Sequence, residues 1–427
     1  MINIYCDSES ERLDYILKVF FNEIFDIPFK LTNSIPDTIH INYSQKTIPN
    51  TFQIIPNEIL FEKQITHQNI NVIKRNDHYK LSFFESNGSV DFDIFGAAFY
   101  LISRYEEYLP NTKDNHQRYL AYQSLAYQEH FLELPLINIW AVELKKVIET
   151  QFSINIPLKN SFKIINTIDI DNAFAYKNKG FYRTTGANFK NFLKGSFKEI
   201  ATRKKVITGQ LQDPYNSFEY LKHLTLKNEI DTIFFVLLGD YGGYDKNISH
   251  LNSEYNKLLQ SLGNWSKIGI HPSYKSYLDK SKIETEIKRL STIINSTCLH
   301  SRQHYLKLSL PESYRILVDL NIINDYTMGY AEAYGFRASI CTPYTFFDLH
   351  SNQSLNLTIH PFAYMDGTLN EYFHLSPEEA IDVLNNLKNE VKDVNGHFIG
   401  IWHNDTVNEN HHWKGWQKVF EEGLKKI

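Results

Sequence analysis

The rhythm of apolar and polar positions changes near residue 160. Before that point short β-rich runs mix with helical segments. Residues 2–5, 38–43 and 78–84 read as strands, and 11–25, 93–109 and 136–152 as helices. The first helix sets Leu13, Ile16, Leu17 and Phe20 on one face. Beyond residue 160, apolar strands alternate with amphipathic helices. Strands are predicted at 162–168, 232–238, 267–270, 305–308, 355–359 and 397–402, and helices at 216–228, 251–262, 280–294, 376–391 and 413–426. Ser376-Pro377-Glu378-Glu379 is a capping box with proline at the first helical position. Repeated βα units build a parallel sheet, closed or open, with helices on its faces. The expected organisation is a smaller α+β domain over 1–155, a linker at 153–160, and an α/β domain over 161–427.

Composition narrows the class. A length of 427 residues favours two or three domains, and 42% apolar with 22% charged residues is a globular balance. A net charge of -5 argues against a nucleic-acid-coating protein, so no nucleic acid is expected as a partner. Cys6, Cys298 and Cys341 are too few and too scattered for a disulfide framework, which fits a reducing compartment. The first residues carry no signal-peptide pattern, and no run of 18 or more apolar residues occurs. A cytoplasmic location is the expectation.

In parallel α/β architectures ligands collect outside the C-terminal ends of the strands. Asp169 and Asp171 follow the first strand of the second region and His271 the third. His300, Arg302 and His304 lie near the fourth, and His403 ends the last. Each has a plain structural alternative, since an aspartate can cap backbone groups and a histidine can sit satisfied in a core. Together, one carboxylate and two imidazoles suit a catalytic divalent ion. A second carboxylate can take a proton from water, and a further histidine can protonate a leaving amine.

At these residues the chain resembles the polysaccharide deacetylase superfamily (carbohydrate esterase family four and its relatives). Thr167-Ile168-Asp169-Ile170-Asp171 is similar to the family's Thr-Phe-Asp-Asp-Gly motif, with one extra residue between the carboxylates. Gly269-Ile270-His271-Pro272-Ser273 supplies the first histidine of the second motif, and Lys275 stands where another is expected. Arg302 matches the arginine motif, and Ile401-Trp402-His403 the final Leu-x-His. The resemblance implies a distorted (β/α) barrel and a metal-dependent hydrolase, an N-deacetylase of an acetylated sugar. It implies Asp169 as base, Asp171 and His271 as metal ligands and His403 as general acid, with Asp366 as its orienting partner. His304 is the replacement third ligand, Arg302 orients Asp169, and zinc is the expected ion.

The N-terminal region, with Phe95-Gly96-Ala97-Ala98-Phe99 and Ser103-Arg104-Tyr105-Glu106-Glu107-Tyr108, looks like the domain that precedes such deacetylases in polysaccharide clusters of Bacteroidetes-type bacteria. Two rivals remain: a non-catalytic glycan-binding or scaffold protein, supported by Lys275, and a glycosidic-bond hydrolase, which needs two well-separated carboxylates. Residues 173–215 carry nine Lys/Arg against two acids, interleaved with aromatics, and 189–200 reads as an amphipathic helix. That segment is expected to be a solvated lid, or to attract an anionic substrate or the inner leaflet of the membrane. Tyr241, Tyr244, Tyr274, Trp402, Trp413 and Trp416 are candidates for stacking on sugar rings.

Overall fold

The computed structural model describes residues 1–34, 38–75 and 78–426; Ile427, the last residue of the expected second domain, lies outside them. Two compact units emerge, and both are discontinuous. The first comprises Met1–Lys163, Leu308–Ala363 and Asn386–Phe398; the second comprises Ile164–Lys307, Tyr364–Asn385 and Ile399–Ile427. A cut at 155–161 therefore divides the chain differently, because 308–363 and 386–398 pack with the N-terminal residues.

In the first unit, Phe29–Thr32, Ile2–Cys6, Ile41–Tyr43 and Phe52–Ile54 form a parallel sheet in that order. Helix Glu11–Lys18 starts where Ser10 Oγ accepts the Leu13 amide, and it continues to Ile24 as a wider π-helical turn. Leu13, Ile16, Leu17 and Phe20 are all buried, as the 3.6-residue period predicts. Helix Ile94–Ile102 is buried on every side. Asp93 caps it, accepting the Phe95 and Gly96 amides while also holding the Tyr43 hydroxyl and the Asn57 amide. The predicted strand at 38–43 shortens to Ile41–Tyr43, and that at 78–84 to Leu81–Ser82.

The charged run 103–108 is a buried ion cluster. Arg104 reaches Glu106 and Glu107, and Arg337 grips Glu107 through Nε and Nη2 at 2.9 and 2.5 Å. Burial alone would raise the Glu107 carboxyl, but the two guanidinium groups outweigh it and hold the group at about 2.

The second unit is a parallel α/β sheet with strand order His300–Ser301, Lys267–Ile270, Asp231–Val236, Lys163–Ile170, His397–His403, Tyr364–Met365. The strands are short and almost wholly buried, and apart from the buried Asn166 and Thr167 within Lys163–Ile170 their polar residues fall at or just beyond their ends. Residues 305–308 are not a strand. His304–Leu306 is a single 3-10 turn with Tyr305 and Leu306 at φ 60° and 52°. Tyr305 is half-buried, while Leu306 and Leu308 are buried in a loop, which explains the strand-like pattern. The predicted helix 189–200 is two helices, Phe181–Leu193 and Phe197–Ile207, broken at Lys194, Gly195 and Ser196. The three cysteines are free and buried. No helix among the described residues is long and apolar enough to cross a membrane.

Removing one partner of a buried ion pair costs about 3–5 kcal/mol. Arg337→Ala should therefore lower the unfolding free energy by about that amount in urea titrations at pH 7. Because the folded Glu107 pKa lies below its unfolded value, its contribution is present above about pH 4.5 and fades toward pH 2. The gap between parent and variant should narrow over that window. A variant as stable as the parent at pH 7 would refute the role of the cluster.

Candidate metal centre

Six groups from four strand ends converge in the second unit. Strand Lys163–Ile170 brings Thr167 and Asp169 to its end, with Asp171 one residue beyond. Asp169 and Asp171 are two residues apart, yet their burial differs: Asp169 is 3% exposed, while the Asp171 side chain is 35% exposed at the rim. Arg302 Nη1 binds Asp169 Oδ1 at 2.9 Å, and its Nη2 binds Thr167 Oγ1 at 2.7 Å. The Thr167 hydroxyl in turn donates to the Gly400 carbonyl. The guanidinium is fully buried over the Phe235 ring, which leaves it no freedom to swing away.

His271 and His304 approach Asp171 from two sides. His271 Nε2 lies 3.3 Å from Asp171 Oδ1, and His304 Nε2 lies 3.4 Å from Asp171 Oδ2. The opposite ring nitrogens decide what faces inward. His271 Nδ1 is 2.6 Å from the Arg302 carbonyl oxygen, which can only accept, so Nδ1 carries the proton. His304 Nδ1 is 3.1 Å from Asp245 Oδ1 and likewise donates to the carboxylate. In their neutral form, both histidines then point Nε2 lone pairs at a carboxylate. Asp171 Oδ1 itself is buried with no hydrogen-bond donor.

Facing lone pairs repel unless a cation or a proton sits between them. One ligand atom from each of Asp171, His271 and His304 lies within 4.8 Å of the others, so these residues fit a divalent ion. Without an ion, a proton takes its place. Burial would lower the His304 imidazole, but the charges and hydrogen bonds of Asp171 and Asp245 raise it to about 9. Burial likewise pushes the Asp171 carboxyl up, but the charge of protonated His304 overrides it and holds the group well below the usual carboxylate range.

Local architecture explains the aim of each ring. The loop after strand Lys267–Ile270 is pinned by buried Glu286, which accepts the Ser273 amide and hydroxyl at 2.9 and 2.6 Å. Asp245 accepts the Tyr274 amide in the same loop as well as His304 Nδ1. The left-handed backbone at Tyr305 and Leu306 turns the chain just after His304. On the other side of the sheet order, His403 Nδ1 bonds Asp366 Oδ1 at 3.0 Å, and Asp366 also accepts the His403 amide and the Thr406 hydroxyl. Burial would lower the His403 imidazole, but the Asp366 carboxylate, helped by Asp171 and Asp169, raises it well above the usual range.

Of the groups picked out in the sequence, Asp169, Asp171, His271, Arg302 and His304 meet, and His403 pairs with Asp366. His300 is absent from the ligand group, and burial pushes its imidazole down to about 4. Lys275 packs on Gly242, where a Cβ would come within 2.8 Å of Nζ. Trp402 and Trp416 are core residues, 1% and 2% exposed. Tyr244 stacks on Tyr274 at 4.2 Å with Tyr305 edge-on, next to the His304 ring. Asp245 is the residue that sequence reasoning missed. It follows the strand Asp231–Val236 within a polar, glycine-rich loop, and the strand-end rule applied to that strand points to it.

Residues 2–153 match a family model described as a family of unknown function, DUF7033. No curated protein matches the chain. Similar solved structures include a Mycobacterium smegmatis protein assigned as a polysaccharide deacetylase (13% identity, TM-score 0.41, covering 62% of this chain and 84% of that one). Puue allantoinase follows at 8% identity and TM-score 0.37, with the same coverages. A carbohydrate-esterase-family-four pseudoenzyme from Bacillus anthracis shares 9% identity at TM-score 0.30, covering 62% of each chain.

A carboxylate that orients a ligating histidine is worth about 10–100-fold in metal affinity. Competition with a chromogenic chelator should show Asp245→Asn weakening zinc binding by about that factor, whereas Lys275→Ala leaves it unchanged. Equal affinities for parent and Asp245→Asn would contradict the orienting role.

Proposed function

We propose that this protein is a metal-dependent hydrolase that removes the acetyl group from an N-acetylated sugar. The observation that carries the proposal is the pair of tautomer-locked histidines facing Asp171, flanked by a second, arginine-held carboxylate. Asp171, His271 and His304 would hold the ion, and the two-imidazole, one-carboxylate set suits zinc. When bound, such an ion lowers the pKa of water and polarises a carbonyl.

The roles of the remaining groups follow from their contacts. Asp169 has one oxygen taken by Arg302 and the other 3.7 Å from His271 Nε2, at the edge of the ligand group. From there it accepts the proton of the attacking water. Arg302 is fully buried against Asp169 and Thr167 and acts as a positioning residue: with Thr167 it keeps that free oxygen turned toward the ion site. His403, held protonated by Asp366, donates to the departing amine, which must leave neutral. Tyr244, half exposed above Tyr274 and Tyr305, offers a face on which a sugar ring can stack.

The rival reading as a non-catalytic glycan binder leaned on the missing second histidine at Lys275. His304 offers the nitrogen that Lys275 cannot, so we favour the enzyme. The same proposal includes a distorted (β/α) barrel around the site, a cytoplasmic location, and an acetylated carbohydrate of the cell envelope as substrate.

Acetate release from N-acetylhexosamine oligomers, alongside metal analysis, tests the roles separately. Loss of a general base costs about 100–10,000-fold. Asp169→Asn should lose activity on that scale while keeping its metal, and Asp171→Asn should lose both. His403→Gln should retain metal and lose rate. If Asp169→Asn and Asp171→Asn both turn over at the parent rate, the assignment fails.

A further inference from the structure

The segment between Asp171 and helix Phe218–Asn228 carries its apolar side outward. Helix Phe181–Leu193 buries none of its residues. At 100° per residue, Phe181, Tyr182, Phe189, Phe192 and Leu193 fall on one side of it, and they are 59–89% exposed. An amphipathic helix ordinarily turns that side to the core. Of the twenty large apolar residues exposed in the described chain, eight lie between 181 and 211, so this is a concentrated surface rather than the usual scatter. The helix is tied to Phe197–Ile207 at the edge of the stripe by Arg203, whose guanidinium bonds Asn188 Oδ1 and lies over Tyr176. Arg203, one of the nine basic residues of the segment, is therefore a buried clamp.

The fully exposed charges around the stripe are all of one sign. Lys190, Lys194, Lys198, Lys204 and Lys205 are exposed, and none makes a salt bridge among the described residues. Exposed lysines on other helices, such as Lys257, Lys282 and Lys288, pair with acids three or four residues away. The two acids of the segment are engaged within it: Glu199 accepts the Tyr176 hydroxyl, and Asp213 caps the Ala175, Tyr176 and Lys177 amides. A second copy of the chain would bring the same positive charge against this face. Lysines spread over two helices match a continuous anionic surface better than one discrete acidic pocket.

We propose that helices Phe181–Leu193 and Phe197–Ile207 dock on an anionic lipid bilayer, with the aromatic stripe in the headgroup region and the lysines against lipid phosphates. The inference goes beyond the deacetylase reading and does not rest on it. It would set the metal centre to work on a substrate carried at a membrane surface.

Co-sedimentation of the full chain with phosphatidylcholine vesicles, with and without phosphatidylglycerol, tests it. Binding should require phosphatidylglycerol and weaken with salt. Each lysine contributes roughly fivefold near such a surface, so K190E/K194E/K198E should lose roughly 100-fold or more in partitioning. F189S/F192S, which keeps the charge, should lose roughly tenfold or more. Both sets lie on the solvent side, and unchanged far-UV circular dichroism would exclude misfolding. Asp171→Asn should bind vesicles like the parent, which keeps this test separate from that of the metal site. Equal binding to both vesicle types, or parent-level binding by K190E/K194E/K198E, would overturn the proposal. So would a solution dimer that F189S/F192S dissociates, in a protein that does not bind vesicles.

Discussion

The candidate site depends on where two protons sit. If His271 and His304 carried their protons on Nε2, the carboxylate of Asp171 would be satisfied by hydrogen bonds and the group would be an ordinary buried polar cluster. The Arg302 carbonyl and the Asp245 carboxylate instead take the Nδ1 protons, so that in the neutral rings the inner nitrogens present lone pairs. A carbonyl is an unambiguous acceptor, so the argument at His271 is one of donor and acceptor chemistry rather than of distance alone. Around this arrangement each buried charge has its counterpart: Arg302 for Asp169, Asp366 for His403, and Asp245 for His304. Burying so many charges is costly unless they are paired, and here pairing and orientation come from the same bonds.

The sheet supports that chemistry with short, apolar strands. Polar residues that would be expensive in their interiors gather at the ends, where neighbouring strands deliver Asp169, His271, Arg302 and His403 to one rim. Sequence patterns reveal this part well. The strand Lys267–Ile270 and the helix Lys280–Ile294 fall at their predicted bounds, because their apolar periodicity and flanking polar residues are unambiguous. The Asp169 and His271 positions are legible for the same reason.

Other features are not legible locally. Residues 305–308 look like a strand because Leu306 and Leu308 are buried, but burial in a loop gives the same alternation as burial in a sheet. His304 therefore reaches the site from a tight turn with left-handed backbone at its next two residues rather than from a strand. Asp245 has no periodic signal; the strand-end rule points to the loop that carries it, and its role becomes specific only with the His304 ring beside it. The compact units are equally opaque to a linear reading. Arg337 lies more than 200 residues from Glu107, and nothing in either neighbourhood announces that the two will share a buried ion pair.

The most direct test is an anomalous difference map at the zinc edge from crystals grown with zinc. The account predicts one strong peak shared by Asp171, His271 and His304, with the Nδ1 atoms of both histidines still bonded to the Arg302 carbonyl and to Asp245. A map with no peak among these three residues, and with the rings unmoved, would contradict it.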